Sequence, residues 1–127
     1  MVLLSRLLAE AGRWREVRRL YGCFVRSRSP EERGRRLLRQ WLSPEQRTQF
    51  DALNYFEVVG SDTGRRFRIQ YGSAANVGEL NEAGRLIMGW CFVPRGQLVP
   101  GDVMLAQKIA LETNETAALA VANRFSL

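Results

Sequence analysis

The spacing of apolar residues changes along the chain, from a repeat near 3.6 residues to a repeat of two. Residues 2–26 follow the helical repeat and predict one amphipathic helix, with Arg15, Arg19 and Arg26 on the side opposite the apolar stripe. Gly12 and Gly22 each weaken this helix by about 1 kcal/mol relative to alanine. The apolar stripe comprises Leu3, Leu7, Trp14, Tyr21 and Val25.

Two serine–proline pairs mark the starts of further helices. Ser29-Pro30-Glu31-Glu32 and Ser43-Pro44-Glu45-Gln46 each supply a capping serine, a proline at the first helical position and a Glu or Gln three residues after the cap. These motifs predict helices over about 30–41 and 44–53. The side chains expected to pack inward are Leu37, Leu38, Trp41 and Leu42 in the first helix, and Phe50 and Leu53 in the second.

From Tyr55 the repeat of two predicts strands at 55–59, 66–71, about 76–80 and 85–93, separated by glycine-containing turns. In the second strand, apolar residues alternate with polar residues that are expected to face water. The apolar set is Phe67, Ile69 and Tyr71, and the polar set is Arg66, Arg68 and Gln70. The last strand is apolar on both faces, which predicts a central strand covered on both sides.

The C-terminal third returns to helical spacing. Asp102 is expected to cap a helix that runs to about Thr113, and a second helix is expected to begin near Asn114 and continue to Arg124. The expected core face of the longer helix comprises Leu105, Ala106, Ile109 and Ala110. The predicted fold class is α+β, a three- or four-stranded antiparallel β-meander flanked by N-terminal and C-terminal helices. We expect residues 29–127 to form a single domain and residues 1–28 to form a basic amphipathic helix, docked or free.

Charge adds a second pattern, because the positive excess is confined to the N-terminal part of the 127 residues. The chain has 19 basic and 13 acidic residues, and 18 of the basic residues are arginines. Residues 1–47 hold 12 arginines against five acids, whereas residues 48–127 carry a net charge of −1. This asymmetry favours contact with nucleic acid, an acidic protein or an anionic membrane surface. A GC-rich genome would also explain the preference for arginine over lysine.

Two clusters of arginine are candidates for binding phosphate. Clustered arginines on helices are typical of nucleic-acid binding. The helical arginines predicted to bind nucleic acid are Arg15, Arg19, Arg33, Arg36 and Arg39. A second cluster lies at the second strand and comprises Arg65, Arg66 and Arg68. This cluster is suited to follow a nucleic-acid backbone or to accept an acidic peptide. The aromatic residues of that strand lie on the opposite face, so the strand is not a base-stacking platform. A solvated helix face and a polar outer sheet face explain the same arginines without any ligand.

Catalytic and metal-binding patterns are absent from the sequence. The chain has no histidine, and Cys23 and Cys91 match no zinc or redox spacing, while their pairing with each other stays open. The triplet Asp62-Thr63-Gly64 occurs in aspartic proteases, but its neighbours and the helical ends of the chain depart from that family's pattern. We therefore interpret the triplet as a turn, and we expect no enzyme, no metal and no cofactor.

The part of the chain from 41 to 123 resembles a family of small, uncharacterised bacterial and phage-associated proteins. No activity is known for that family, so the resemblance implies no site residues. The segments that carry the resemblance are Trp41-Leu42-Ser43-Pro44-Glu45-Gln46-Arg47, residues 56–60, Phe67-Arg68-Ile69, Asn76-Val77, residues 91–94 and Gly101-Asp102.

These observations favour a non-enzymatic binding or adaptor module that contacts nucleic acid or an acidic protein through its N-terminal arginines. The alternative is a protein–protein interaction or homo-oligomerisation module that docks through the N-terminal helix. The docking residues in that alternative are Leu3, Leu7, Trp14 and Tyr21. The N-terminus lacks a secretory apolar region, and no apolar run approaches the ~20 residues that a membrane span needs. A cytoplasmic location is therefore expected.

Overall fold

The computed structural model describes Arg15, residues 29–93, Gly96 and residues 98–127. These residues form four helices and a five-stranded antiparallel sheet, which confirms the predicted α+β class. The helices are α1 (Pro30–Trp41), α2 (Pro44–Leu53), α3 (Pro100–Thr113) and α4 (Glu115–Ala120). The strands are β1 (Tyr55–Val59), β2 (Arg66–Gln70), β3 (Val77–Leu80), β4 (Leu86–Cys91) and β5 (Asn123–Phe125).

The sheet is a meander in which each strand pairs with the next along the chain, in the order β1-β2-β3-β4-β5. Phe56 lies opposite Ile69, Ile69 opposite Val77, and Val77 opposite Trp90. Residues that face each other across an antiparallel pair share one face of the sheet, so this row forms the inner face. The inner face packs against buried helical side chains, which include Leu38, Leu42, Phe50, Met104 and Leu111.

The caps of α1 and α2 agree with the sequence motifs. Ser29 accepts a hydrogen bond from the Glu32 backbone, and Ser43 forms a complete capping box with Gln46. The prediction that Asp102 caps α3 is wrong, because Val99 occupies the cap position and Pro100 begins the helix. Proline has no backbone N–H to leave unpaired at the first helical position, so the helix begins there and Asp102 falls in its first turn.

The predicted core face of α3 is correct only in part, because Leu105 and Ala110 pack against the core but the other two predicted residues do not. The buried positions of this helix include Val103, Met104 and Leu111, together with the polar residues Gln107 and Lys108, whereas Ala106 and Ile109 are exposed. The buried Gln107 amide exchanges two hydrogen bonds, of 2.8 and 2.9 Å, with the side chain of Asn76. This pairing satisfies the hydrogen-bonding groups of both side-chain amides, so the polar Gln107 is stable in the core. The apolar repeat predicts only apolar residues at core positions and therefore misses it.

The inward-facing sets of α1 and α2 are smaller than predicted. Leu38, Leu42 and Phe50 are buried, but Leu37, Trp41 and Leu53 are exposed. Gly34 and Leu38 define the inward side of α1, so the additional apolar residues lie outside the contact with the sheet. Leu53 is the last residue of α2, where Asn54 turns the chain with a positive φ of 62°.

The C-terminal end differs from the sequence prediction in two ways. The last helix ends at Ala120, and residues 123–125 form a fifth strand that pairs with β4 instead of continuing the helix to Arg124. β4 is therefore internal to the sheet, but it is not covered on both sides, since Leu86 and Ile87 are exposed. β5 pairs only with residues 89–91, and the register shifts beside Leu80, so the first part of β4 stays open to solvent.

Candidate nucleic-acid interface

The outward face of α1 carries two exposed arginines. Arg33 and Arg36 are exposed, and neither forms an ion pair with any residue that the structure describes. They lie three positions apart on a regular helix, which places their side chains next to each other. Arg15 is helical and exposed. Arg19 and the docking residues Leu3, Leu7, Trp14 and Tyr21 lie outside the described residues.

Arg39 is on the same helix but is held by a carboxylate. Its Nε and Nη2 atoms each lie 2.9 Å from one of the two Asp51 oxygens, which is a bidentate pair between α1 and α2. This hydrogen-bonded pair raises the pKa of Arg39, with a further contribution from the charge of Asp51. The geometry engages two of the donors that a phosphate would need, so Arg39 is less available than its neighbours on α1.

Arg35 has a structural role that the sequence reading missed. Its Nη2 donates to the Asn54 side chain at 2.7 Å, and its guanidinium lies 5.0 Å from the Phe50 ring centroid and 4.9 Å from that of Tyr71. The Tyr71 hydroxyl donates to Glu31, and its pKa is raised by partial burial and then by this carboxylate. These contacts join α1 to the ends of α2 and β2.

The arginines of the sheet meet carboxylates. Arg66 and Arg68 both approach Glu57, at 3.5 and 3.7 Å, and Arg65 approaches Glu79 at 3.6 Å. The register explains the first two contacts, because Glu57 lies directly opposite Arg68 on the neighbouring strand. Arg68 also lies over the Tyr55 ring, 4.3 Å from its centroid. Arg66 and Arg68 lie on the face opposite Phe67 and Ile69, as predicted, but both are half-buried.

The triplet Asp62-Thr63-Gly64 forms a turn, as interpreted from the sequence, and Gly64 adopts a positive φ of 74°. Asp62 accepts hydrogen bonds from the backbone and hydroxyl of Thr116, at 2.8 and 2.6 Å, and these bonds lower the pKa of Asp62. The buried Glu115 in turn accepts from the backbone N–H groups of Asp62 and Thr63. The triplet therefore attaches the β1–β2 turn to the start of α4.

A groove with a volume of about 1130 Å³ lies beside α2 and β1. It is lined in part by Lys108, which is the only lysine of the chain and is nine-tenths buried. Lys108 donates to Glu112, and Gln46 bridges the other Glu112 oxygen and the Glu57 carbonyl. Glu112 is half-buried in this network. This network ties α2, α3 and β1 together, with its charges paired.

Neither a metal cluster nor a membrane-spanning helix appears among the described residues. No group of three or more His, Cys, Asp or Glu residues is arranged to hold a metal ion in this part of the chain. None of its helices is long and apolar enough to cross a membrane. Cys91 is a free, half-buried cysteine, and Cys23 lies outside the described residues.

The structure thus separates the predicted arginines into two groups. Arg33 and Arg36 share one exposed face, whereas Arg39, Arg65, Arg66 and Arg68 each lie near a carboxylate that the sequence reading did not assign to them. Comparisons with protein families, with curated proteins and with solved structures found no match for this chain.

Proposed function

We propose that this chain is a non-enzymatic binding module that contacts nucleic-acid phosphates through the outward face of α1, together with the arginines that precede it. The observation that supports this proposal is the exposure of Arg33 and Arg36 without an ion pair to any described residue. Arg15 is also exposed, and residues 1–47 carry the entire positive excess of the chain.

Ion pairs with carboxylates reduce the contribution that the other arginines make to phosphate binding. A guanidinium that binds phosphate releases condensed counterions, and this release provides much of the binding free energy. An arginine already held by a carboxylate must first lose that contact, as in the bidentate pair of Arg39 with Asp51. We therefore expect the α1 pair Arg33 and Arg36 to contribute more than Arg39 or the sheet cluster of Arg65, Arg66 and Arg68.

The test is fluorescence polarisation with labelled double-stranded DNA, single-stranded DNA and RNA over a salt series. The full chain is compared with R33Q/R36Q and with the control R66Q/R85Q, which removes the same charge from the sheet and its β3–β4 turn. For double-stranded DNA, we expect R33Q/R36Q to reduce the slope of log K against log salt by about two, because each lost phosphate contact removes about 0.9. We expect the control to change the slope much less.

Two results would contradict the proposal. Absence of binding at low salt to all three nucleic acids would show that the α1 arginines are a solvated face or contact a protein. An equal loss of slope in R33Q/R36Q and R66Q/R85Q would show that net charge matters rather than the α1 face.

A further inference from the structure

Two helices present apolar side chains to solvent along the line where they meet. Leu37 and Trp41 on α1 are 42% and 61% exposed, and Ile109 on α3 is 45% exposed, with Leu105 half-buried one turn before it. Each pair is spaced by four residues, so each forms a short stripe along its helix. We call these four residues the apolar seam. A contiguous group of exposed apolar side chains is typical of an interaction surface.

Contacts at both ends place the two stripes side by side. Near the start of both helices, Gly34 packs so closely on Gly101 that an added Cβ at Gly101 would lie 2.3 Å from the Gly34 carbonyl carbon. Just beyond the end of α1, Gln46 donates to Glu112 near the end of α3, at 3.0 Å. Since the starts meet and the ends meet, α1 and α3 run in the same direction.

The rotation of each helix places both stripes on the solvent side of this contact. Successive residues of an α-helix are rotated by 100° about its axis. Around α1, Leu38 points to the core and Gly34 to α3. Further round in the same sense, Trp41 and then Leu37 point towards solvent. On α3 the order is Met104 to the core, Gly101 to α1, then Leu105 and Ile109. The four seam residues therefore border one shallow groove between the helices, away from the sheet.

We propose that the apolar seam is the docking site of this chain's own residues 2–26, which fold back on it as an amphipathic helix. The segment is joined to the seam, because it leads directly into Ser29, the cap of α1. The 12 residues of α1 span about 18 Å, so an equal length of antiparallel helix covers it. Trp14 and Tyr21 are seven residues apart, which places them on one side of such a helix.

Tethering and charge both favour this occupant over a second copy of the chain. A segment joined by a short connection has an effective concentration in the millimolar range. A face-to-face dimer would bring two copies of Arg33, which lies one turn before Leu37, towards the same patch. In the predicted N-terminal helix, Arg15, Arg19 and Arg26 instead lie away from the stripe, and only Arg18 lies beside Trp14 and Tyr21.

The docking does not rest on the proposed function. Loss of nucleic-acid binding therefore leaves the docking test unaffected.

The test is limited trypsin digestion of the full chain, with mass spectrometry following cleavage after Arg13, Arg15, Arg18 and Arg19. We expect L37Q/W41Q to accelerate this cleavage about tenfold, because cleavage follows the population of the undocked state. The reciprocal variant W14Q/Y21Q should produce the same acceleration. The control L53Q/V121Q replaces two other exposed apolar residues and should leave the rate unchanged.

Equal cleavage rates in all four proteins would overturn the proposal. Protection that increases with protein concentration would also overturn it, because the seam would then be covered by a second copy. Circular dichroism verifies that each variant is folded. If L37Q/W41Q unfolds, W14Q/Y21Q decides the matter, since its substitutions leave every described side chain in place.

Discussion

Glu115 shows how one side chain joins distant parts of the chain. It is almost completely buried, and its carboxylate accepts from two backbone N–H groups and the Thr63 hydroxyl of the β1–β2 turn. Its own backbone N–H donates to Ser61, at 3.0 Å. A buried carboxylate is stable only when such donors satisfy it, so the turn and α4 hold each other in place.

Replacing Glu115 should therefore destabilise the whole fold. We expect Glu115→Ala to lower the free energy of unfolding by about 2–4 kcal/mol, because it leaves backbone N–H groups of the turn without an acceptor. Urea denaturation followed by circular dichroism measures the change. Glu82→Ala, in the exposed β3–β4 turn, is the matched control and should have little effect. Equal midpoints for the two variants would contradict this role for Glu115.

Asp62 makes part of the same junction dependent on pH. Its pKa is lowered from the ordinary value of 3.8 by the hydrogen bonds from Thr116. Because the folded pKa lies below the unfolded one, this stabilisation is fully present above pH 3.8 and is lost as the pH falls through the folded value. We expect Asp62→Asn to unfold with a weaker dependence on pH below 4 than the wild-type chain. Parallel acid-unfolding profiles for the two proteins would argue against this contribution.

At the scale of elements, the packing of α1 on α3 depends on two glycines. A Cβ at Gly101 would meet three backbone atoms of Gly34 and Arg35 within 2.6 Å, whereas a Cβ at Gly34 would meet first a side-chain methyl group of Val99, at 2.7 Å. Backbone atoms of a packed helix cannot move aside individually. Alanine at the first position therefore forces the helices apart, while alanine at the second requires only side-chain adjustment.

We expect Gly101→Ala to destabilise the protein by about 1–3 kcal/mol, the usual cost of overpacking. Gly34→Ala should stay within about 1 kcal/mol of wild type, because the higher helix propensity of alanine offsets the adjustment. Thermal denaturation of both variants measures which substitution destabilises the protein more. A larger loss for Gly34→Ala would show that Val99 and Asp102 are less able to move than the contact distances indicate.

At the scale of the whole molecule, all four helices contribute to one core with the sheet. Leu38, Phe56 and Leu111 are completely buried, and Ala118 of α4 joins the same cluster. A single shared core favours cooperative unfolding. We therefore expect the domain over residues 29–127 to unfold in one transition.

Trp90 provides the probe for this expectation, because it is buried in the core. In the variant W14F/W41F, Trp90 is the only tryptophan and reports on the sheet, while far-ultraviolet circular dichroism reports mainly on the helices. We expect both signals to change with the same midpoint and steepness in urea. Separate midpoints would show that the helices and the sheet unfold as different units.

Local sequence patterns were enough to predict most elements of this protein, but not the fifth strand or the start of α3. Ser29 and Ser43 fold into caps because their hydrogen bonds lie within three residues, and the turn with Gly84 forms because glycine adopts its φ of 79° without strain. The alternation of β2 likewise places Phe67 and Ile69 in the core. These interactions need no knowledge of distant residues, so the sequence is sufficient to predict them.

Tertiary structure alone decided which faces are buried and which arginines are free. Gln107 is a core residue because Asn76, 31 positions earlier, satisfies its amide, and Leu37 and Trp41 are exposed because Gly34 rather than they contacts α3. The carboxylates near Arg39, Arg65, Arg66 and Arg68 likewise come from other elements. Burial and charge pairing depend on distances between segments far apart in the chain, and a periodic pattern contains no information on those distances.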